Sequence, residues 1–213
     1  AIAETAAAGE SIPIKDSSGT ITVTDGSCAQ GDLRRHGRLV RDGHHYRLGP
    51  AGPFILKAGA NSPENLLAYK EFDGTYRMAA NKRDGEAGAD TQLHHYESHF
   101  KDWREGDPTW RSGQGKSLVG AVNYLASTGM NSVYFLTMNI EGEGKDVWPY
   151  ASPEDFTRFD CSKLDQWETL FEHMQQSGLI LHVITQETEN EKLLDAGDTG
   201  RHRKLYYREL IAR

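Results

Sequence analysis

The feature that most constrains this chain is an internal repeat in its second half. The first copy runs Lys116-SLVGAVNYLAS-Thr128, then Gly129, then Asn131-SVYFLTM-Asn139. The second runs Lys163-LDQWETLFEHMQQ-Ser177, then Gly178, then Leu179-ILHVIT-Gln186. In each copy an amphipathic helix stops at a Gly, which takes the left-handed C′ conformation at little cost. An apolar strand begins within two residues, and polar residues follow where it ends. Helix, Gly, buried strand and polar loop, repeated, predict α/β units on a parallel sheet. A last helix, Arg203–Arg213, opens a third copy.

The remainder is less regular. Residues 1–19 are small and polar and read as a disordered lead-in. Thr20–Thr24 alternates β-branched residues, a strand pattern, followed by the turn signal Asp25-Gly26-Ser27. Asp42-Gly43 between alternating segments predicts a hairpin, so residues 20–48 read as the β-rich end of a preceding sheet domain. Gly49-Pro50-Ala51-Gly52-Pro53 has the composition of a rigid linker, and Phe54–Ala60 has the length of a buried strand. From Asn61 to Gln114, Gly, Asp, Asn, His and Trp crowd together with little periodicity. Structureless stretches of that length usually serve function. The chain opens AIAETAAAGE, without a Met or the regions of a signal peptide. It stops at LYYRELIAR inside a helical pattern, so a piece of a longer protein is expected.

Several classes fall away. No apolar run approaches the ~20 residues of a membrane-spanning helix, so no membrane insertion is expected. The balance of 24 basic against 31 acidic residues, net −7, argues against nucleic acid as a partner. Cys28 and Cys161 form no disulfide framework; they could pair with each other, but lone thiols are the favoured reading. G-x-G-x-x-G after a strand, the Walker sequence and the G-x-S-x-G elbow are all missing, which removes nucleotide folds and α/β hydrolases as leading readings. No cofactor is expected.

Parallel α/β sheets bind ligands at the carboxyl ends of their strands. That rule selects Asn61, Ser62, Glu64 and Asn65 after the first strand. It selects Asn139, Glu141, Glu143, Lys145, Asp146, Trp148 and Tyr150 after the second, and Gln186, Glu187, Glu189 and Asn190 after the third. Carboxylates and amides pair hydroxyl groups while Trp and Tyr faces cover apolar C–H surface, a set suited to sugars. The bland alternative makes such residues caps and solvated turns, with Ser162 or Ser152 capping its helix. His95 and His99, spaced i, i+4, are the metal candidates, yet no Glu follows in the HExxH sense and Tyr96, Phe100 and Trp103 suggest packing. No metal is expected there.

The runs FILKAGANSPENLLAYKEFDGTYR, HHYESHFKDWREGDPTW, GAVNYLASTGMNSVYFLTMNIEGEGKDVWPY and FDCSKLDQWETLFEHMQQSGLILHVITQETEN resemble a bacterial family of DUF5060-containing, glycoside-hydrolase-like proteins. In that family a β-sandwich precedes a (β/α)8 barrel. The resemblance covers roughly residues 37–213. It implies that residues 20–48 end the sandwich and that residues 54–213 are the N-terminal part of the barrel. Phe54–Ala60, Ser132–Met138 and Leu179–Thr185 would then be its first three strands. It implies a retaining glycoside hydrolase acting on a polysaccharide or oligosaccharide, secreted or periplasmic. A full barrel needs about 250 residues, and in related proteins both catalytic carboxylates follow later strands, so they are expected beyond Arg213.

Retaining enzymes need two carboxyls roughly 5–5.5 Å apart. Glu187 and Glu189, if extended, point to opposite faces, which leaves Glu187 as a substrate contact or as a partner tuning the acid/base. Trp103, Trp110, Trp148 and Tyr150 are the implied sugar platforms, with Asn61, Glu64 and Asn65 as first-strand contacts. Members often carry GDG where this chain has Glu143-Gly144, which weakens any cation role there. Two alternatives stand beside this reading: a carbohydrate-binding protein without turnover, and a complete open-sheet, metal-dependent hydrolase.

Overall fold

The computed structural model describes residues 5–7, 31–76, 78, 93–142 and 144–213. The chain is a mixed α/β structure with an antiparallel three-stranded sheet and a parallel β-α sheet. The strands are β1 (Thr5–Ala7), β2 (Leu39–Asp42), β3 (His45–Leu48), β4 (Phe54–Ile55), β5 (Gly59–Ala60), β6 (Ser132–Leu136), β7 (Arg158–Asp160) and β8 (Ile180–Ile184). The α-helices are α1 (Lys116–Ser127), α2 (Cys161–Gln176) and α3 (Arg201–Ala212). No closed barrel is seen among the described residues.

The hairpin expected at Asp42-Gly43 joins β2 to β3, with Asp42 opposite His45 and Gly43 at φ 61°. The neighbouring segment departs from expectation. Gly49–Pro53 is the loop of a second hairpin, because β4 returns antiparallel along β3 with Arg47 opposite Phe54. Leu48 N donates to Pro53 O at 3.0 Å, and the Arg47 guanidinium lies 4.0 Å from the Phe54 ring centre. Only Gly fits at position 49, where φ is 66° and a Cβ would fall 1.9 Å from His36 O. Within the segment expected to be a disordered lead-in, Thr5–Ala7 pairs antiparallel with β7. The strand expected at Thr20–Thr24 and the turn after it lie outside the described residues, as does Cys28.

Phe54–Ala60 is not one buried strand. Its first two residues belong to the antiparallel sheet and its last two to the parallel one. Phe54 is 57% and Leu56 86% exposed. The crossing is held from the side by Asn131, whose Nδ2 donates to Leu56 O at 2.9 Å while its Oδ1 accepts from Ala58 N at 2.8 Å. Gly59 then lies so near β6 that a Cβ would sit 1.7 Å from Ser132 O. The apolar run therefore spends its middle residues passing between sheets, where no layer covers them.

The parallel sheet has the order β5-β6-β8, with Gly59 beside Ser132 and Tyr134 beside His182. Both repeat helices form as predicted, and Gly129 and Gly178 take φ 83° and 82°. The cap of α2 is Asp160, whose carboxylate accepts from Lys163 N at 3.0 Å. Ser162 does not cap it; one residue inside, its hydroxyl donates to Asp73 Oδ2 at 2.6 Å. Ser152 serves a turn, accepting from Glu154 N at 3.3 Å.

The core joins the sheet and these helices: Val133 and Phe135 belong to one buried cluster with Leu118, Val122, Leu164 and Leu170. Burying a side chain such as Phe135 stabilises by roughly 1.5–3 kcal/mol. The stretch after Asn61 also contributes, since Leu67, Ala68, Tyr69 and Phe72 are core residues rather than open loop.

Candidate functional site

Three segments come side by side at the carboxyl ends of β5, β6 and β8. Leu136 N donates to Glu64 O at 2.7 Å, Thr137 N to Ile184 O at 2.9 Å and Glu187 N to Met138 O at 3.1 Å. Parallel pairing thus continues past the strands proper, and it carries the polar residues along with it. Asn190 locks the last two segments together. Its amide accepts from Ile140 N and donates to Ile140 O at 3.0 Å, a pair of bonds made in a buried place.

Glu187 is the electrostatic centre of this rim. Its carboxylate accepts from Thr188 N at 3.0 Å and so starts the 3-10 turn Thr188–Asn190. Burial holds its carboxyl above the ordinary range, the Thr188 bond opposes this, and the Glu64 and Glu189 carboxylates push it up again. Like charges brought together favour keeping a proton on one of them. Tyr134, on the face of β6 between them, is raised by burial and by Glu64 and Glu187. Its ring meets the His182 ring edge-on at 5.1 Å. His182 Nδ1 faces the Lys57 ammonium, and burial and that cation hold its pKa down. The face runs from a basic end at Lys57 and His182 to an acidic end at Glu64, Glu187 and Glu189.

The structure brings only part of the expected set to this rim. Glu64, Glu187 and Glu189 interact, and Asn61 is exposed just beyond β5. Because residues 188–190 coil instead of staying extended, Glu187 and Glu189 approach one another rather than facing opposite ways. Gln186 is half-buried, its Nε2 donating to Asn190 O at 3.0 Å. Asn65 is buried, with His94 Nε2 at 2.7 Å from its Oδ1. Asn139 is buried too; its backbone pairs both ways with Val147 at 2.7 Å and its Nδ2 donates to Lys145 O at 3.1 Å. Its role is to close the loop after β6. Glu143 lies outside the described residues.

The aromatic platforms are a correction. Trp148 and Tyr150 are fully buried core residues, and Trp110 stacks on Phe72 at 4.9 Å with its Nε1 donating to Glu71 O at 2.8 Å. Trp103 is half-buried, with the Lys116 ammonium 4.2 Å from its ring centre. Trp110, Trp148 and Tyr150, enclosed by protein, offer no face to a sugar. Sequence reasoning missed Lys57, Tyr134 and His182. The available signal was positional: Tyr134 and His182 are the middle residues of β6 and β8, and each is polar in an apolar run.

The histidine cluster also resolves into separate contacts, His94 to Asn65 and His99 Nδ1 to Asp102 Oδ2 at 2.9 Å. Among the described residues no group of three or more His, Cys, Asp or Glu is placed to hold a metal ion, and no helix is long and apolar enough to cross a membrane. Comparison with protein-family models, with curated proteins and with solved structures gives no match.

Proposed function

We propose that the rim of Glu64, Glu187 and Glu189, with Asn61 beside it, contacts carbohydrate in a glycoside-hydrolase-like protein of the DUF5060-containing kind. The observation that carries this reading is the convergence of three carboxyl groups from two strand ends on an accessible edge, where ligands of parallel α/β sheets bind. Carboxylates accept hydrogen bonds from sugar hydroxyls, and the Asn61 amide can both donate and accept. Three parallel strands lying side by side in chain order support the finer proposal that they begin a (β/α)8 barrel. The antiparallel sheet ahead of them supports a sandwich end. The proposed setting is secreted or periplasmic, where polysaccharide is met.

Glu187 is assigned to sugar contact rather than to bond cleavage, because its carboxylate is engaged in starting the turn at Thr188. The test is an NMR titration of the chain with cello-, xylo-, manno- and chito-oligosaccharides, beside a reducing-sugar assay on the parent polysaccharides. One series should shift the signals of Glu187 and Tyr134, and Glu187→Ala should weaken that binding about tenfold, the worth of one hydrogen bond to a charged group. No shift with any sugar overturns the reading. Release of reducing ends by the chain alone overturns the assignment of Glu187 to contact only.

A further inference from the structure

At the other end of the parallel sheet, where α1 and α2 finish and lead into the amino ends of β6 and β8, lies a cavity of about 500 Å³. That volume suits a small organic ligand. Its walls include Asn123 and Ser127 of α1, His173 and Gln176 of α2, and Arg104 and Asp107 of the loop before α1.

The polar groups form an ordered chain. Asn123 Nδ2 donates to Asp102 O at 2.9 Å and to Asp107 Oδ2 at 2.7 Å, which fixes its Oδ1 as an acceptor. His173 Nε2 lies 2.9 Å from that Oδ1 and therefore donates. The ring is 7% exposed, and burial holds its pKa down, so the neutral imidazole carries its lone pair on Nδ1. His173 is among the residues that line the cavity, and Nδ1 is its acceptor nitrogen.

Beside it, a tight turn closes from Asp107 N to Arg104 O at 3.0 Å, with Gly106 at φ 96°. Arg104 N returns a bond to Asp107 Oδ2 at 2.7 Å. The turn sets an acid and a base next to each other, yet among the described residues the Arg104 guanidinium makes no ion pair. The carboxyl ends of α1 and α2 also line the cavity and add partial negative charge to it.

We infer that this cavity binds a small zwitterion of the α-amino-acid type. Its ammonium would lie against Asp107 and His173 Nδ1, and its carboxylate against Arg104. The site is independent of the sugar rim. Glycine, alanine, glutamate and lysine would each be titrated into the full chain, with methylamine and acetate as half-ligands, following the His173 imidazole and Asn123 amide signals by NMR. At least one amino acid should saturate these signals while neither half-ligand does. Arg104→Gln, at an exposed position, and His173→Gln, which keeps a donor for Asn123, should each weaken the binding about tenfold. The inference is overturned if no amino acid moves the signals, if a half-ligand binds as well, or if Arg104→Gln binds like the parent. An amino acid that shifts Glu187 instead of His173 also counts against it.

Discussion

The two copies of the helix–Gly–strand repeat share a pattern but not a position. In the first, β6 lies between two parallel neighbours, and all its residues except Tyr134 are buried. In the second, β8 is an edge strand with no fully buried residue, and Val183 is 38% exposed. The helices differ in the charge they bury. α1 buries Leu118, Val119, Gly120, Ala121 and Val122 with the polar Ser117 and Asn123, whereas α2 buries Lys163, Gln166 and His173 among Leu164, Trp167, Leu170 and Met174. The first unit is therefore held by apolar packing around its strand. The second adds buried polar bonds to the apolar packing of its helix, and its strand is at the sheet edge among the described residues.

The largest effect should come from Phe135→Ala, which empties a fully buried place against Phe171 and should cost about 3–5 kcal/mol in urea unfolding. A loss below about 1 kcal/mol would break the comparison at its interior end. Next comes Lys163, whose Nζ donates to Gly74 O and Trp148 O, both at 3.1 Å, and to Tyr150 O at 3.5 Å. Lys163→Met leaves those carbonyls without a donor and should cost about 2–3 kcal/mol.

Lys163 also carries a pH signature. Burial lowers its pKa from 10.5 to about 8, against the pull of Asp160 and Asp73. Between those values the unfolded chain holds a proton that the folded chain has released, so stability rises with pH across the window. Lys163→Met should remove that rise in unfolding curves taken at intervals of pH; an unchanged slope would assign it to another group.

Asp160→Ala removes the cap of α2 and should cost about 1 kcal/mol, with Asp160→Ser restoring most of it. Val183→Ala, the edge-strand counterpart of Phe135→Ala, should stay within about 0.5 kcal/mol, and a larger loss would mean that β8 is covered. Glu187→Gln should have the smallest effect. Its pKa lies above the ordinary 4.5, so the folded chain keeps a proton there that the unfolded chain has lost. Stability should then fall as pH rises through that window, and the Gln variant should not show the fall.

Much of the architecture was legible because local rules produced it. The two glycines after the helices, the Asp42-Gly43 hairpin and the apolar runs of β6 and β8 each answer to a few neighbouring residues. The rim was legible in part, as a consequence of parallel topology: Glu64, Glu187 and Glu189 were found by knowing where such strands end. Trp110, Trp148 and Tyr150 were misread because an aromatic residue after a strand has the same local sequence whether it faces solvent or core. Lys57, Tyr134 and His182 escaped notice for the converse reason, since nothing near them in sequence shows that they share a face.

By itself, then, the sequence determined the two repeat helices and the glycines that end them, the Asp42-Gly43 hairpin, and that β6 and β8 run parallel. Those outcomes rest on backbone conformation and hydrophobic period, which act over a few residues. Only the tertiary structure decided that Phe54–Ala60 divides between two sheets, that Trp110 and Trp148 turn inward, and that Glu187 gathers two other carboxyls. Those outcomes depend on which distant surfaces exclude water from one another, and burial and charge act through space rather than along the chain.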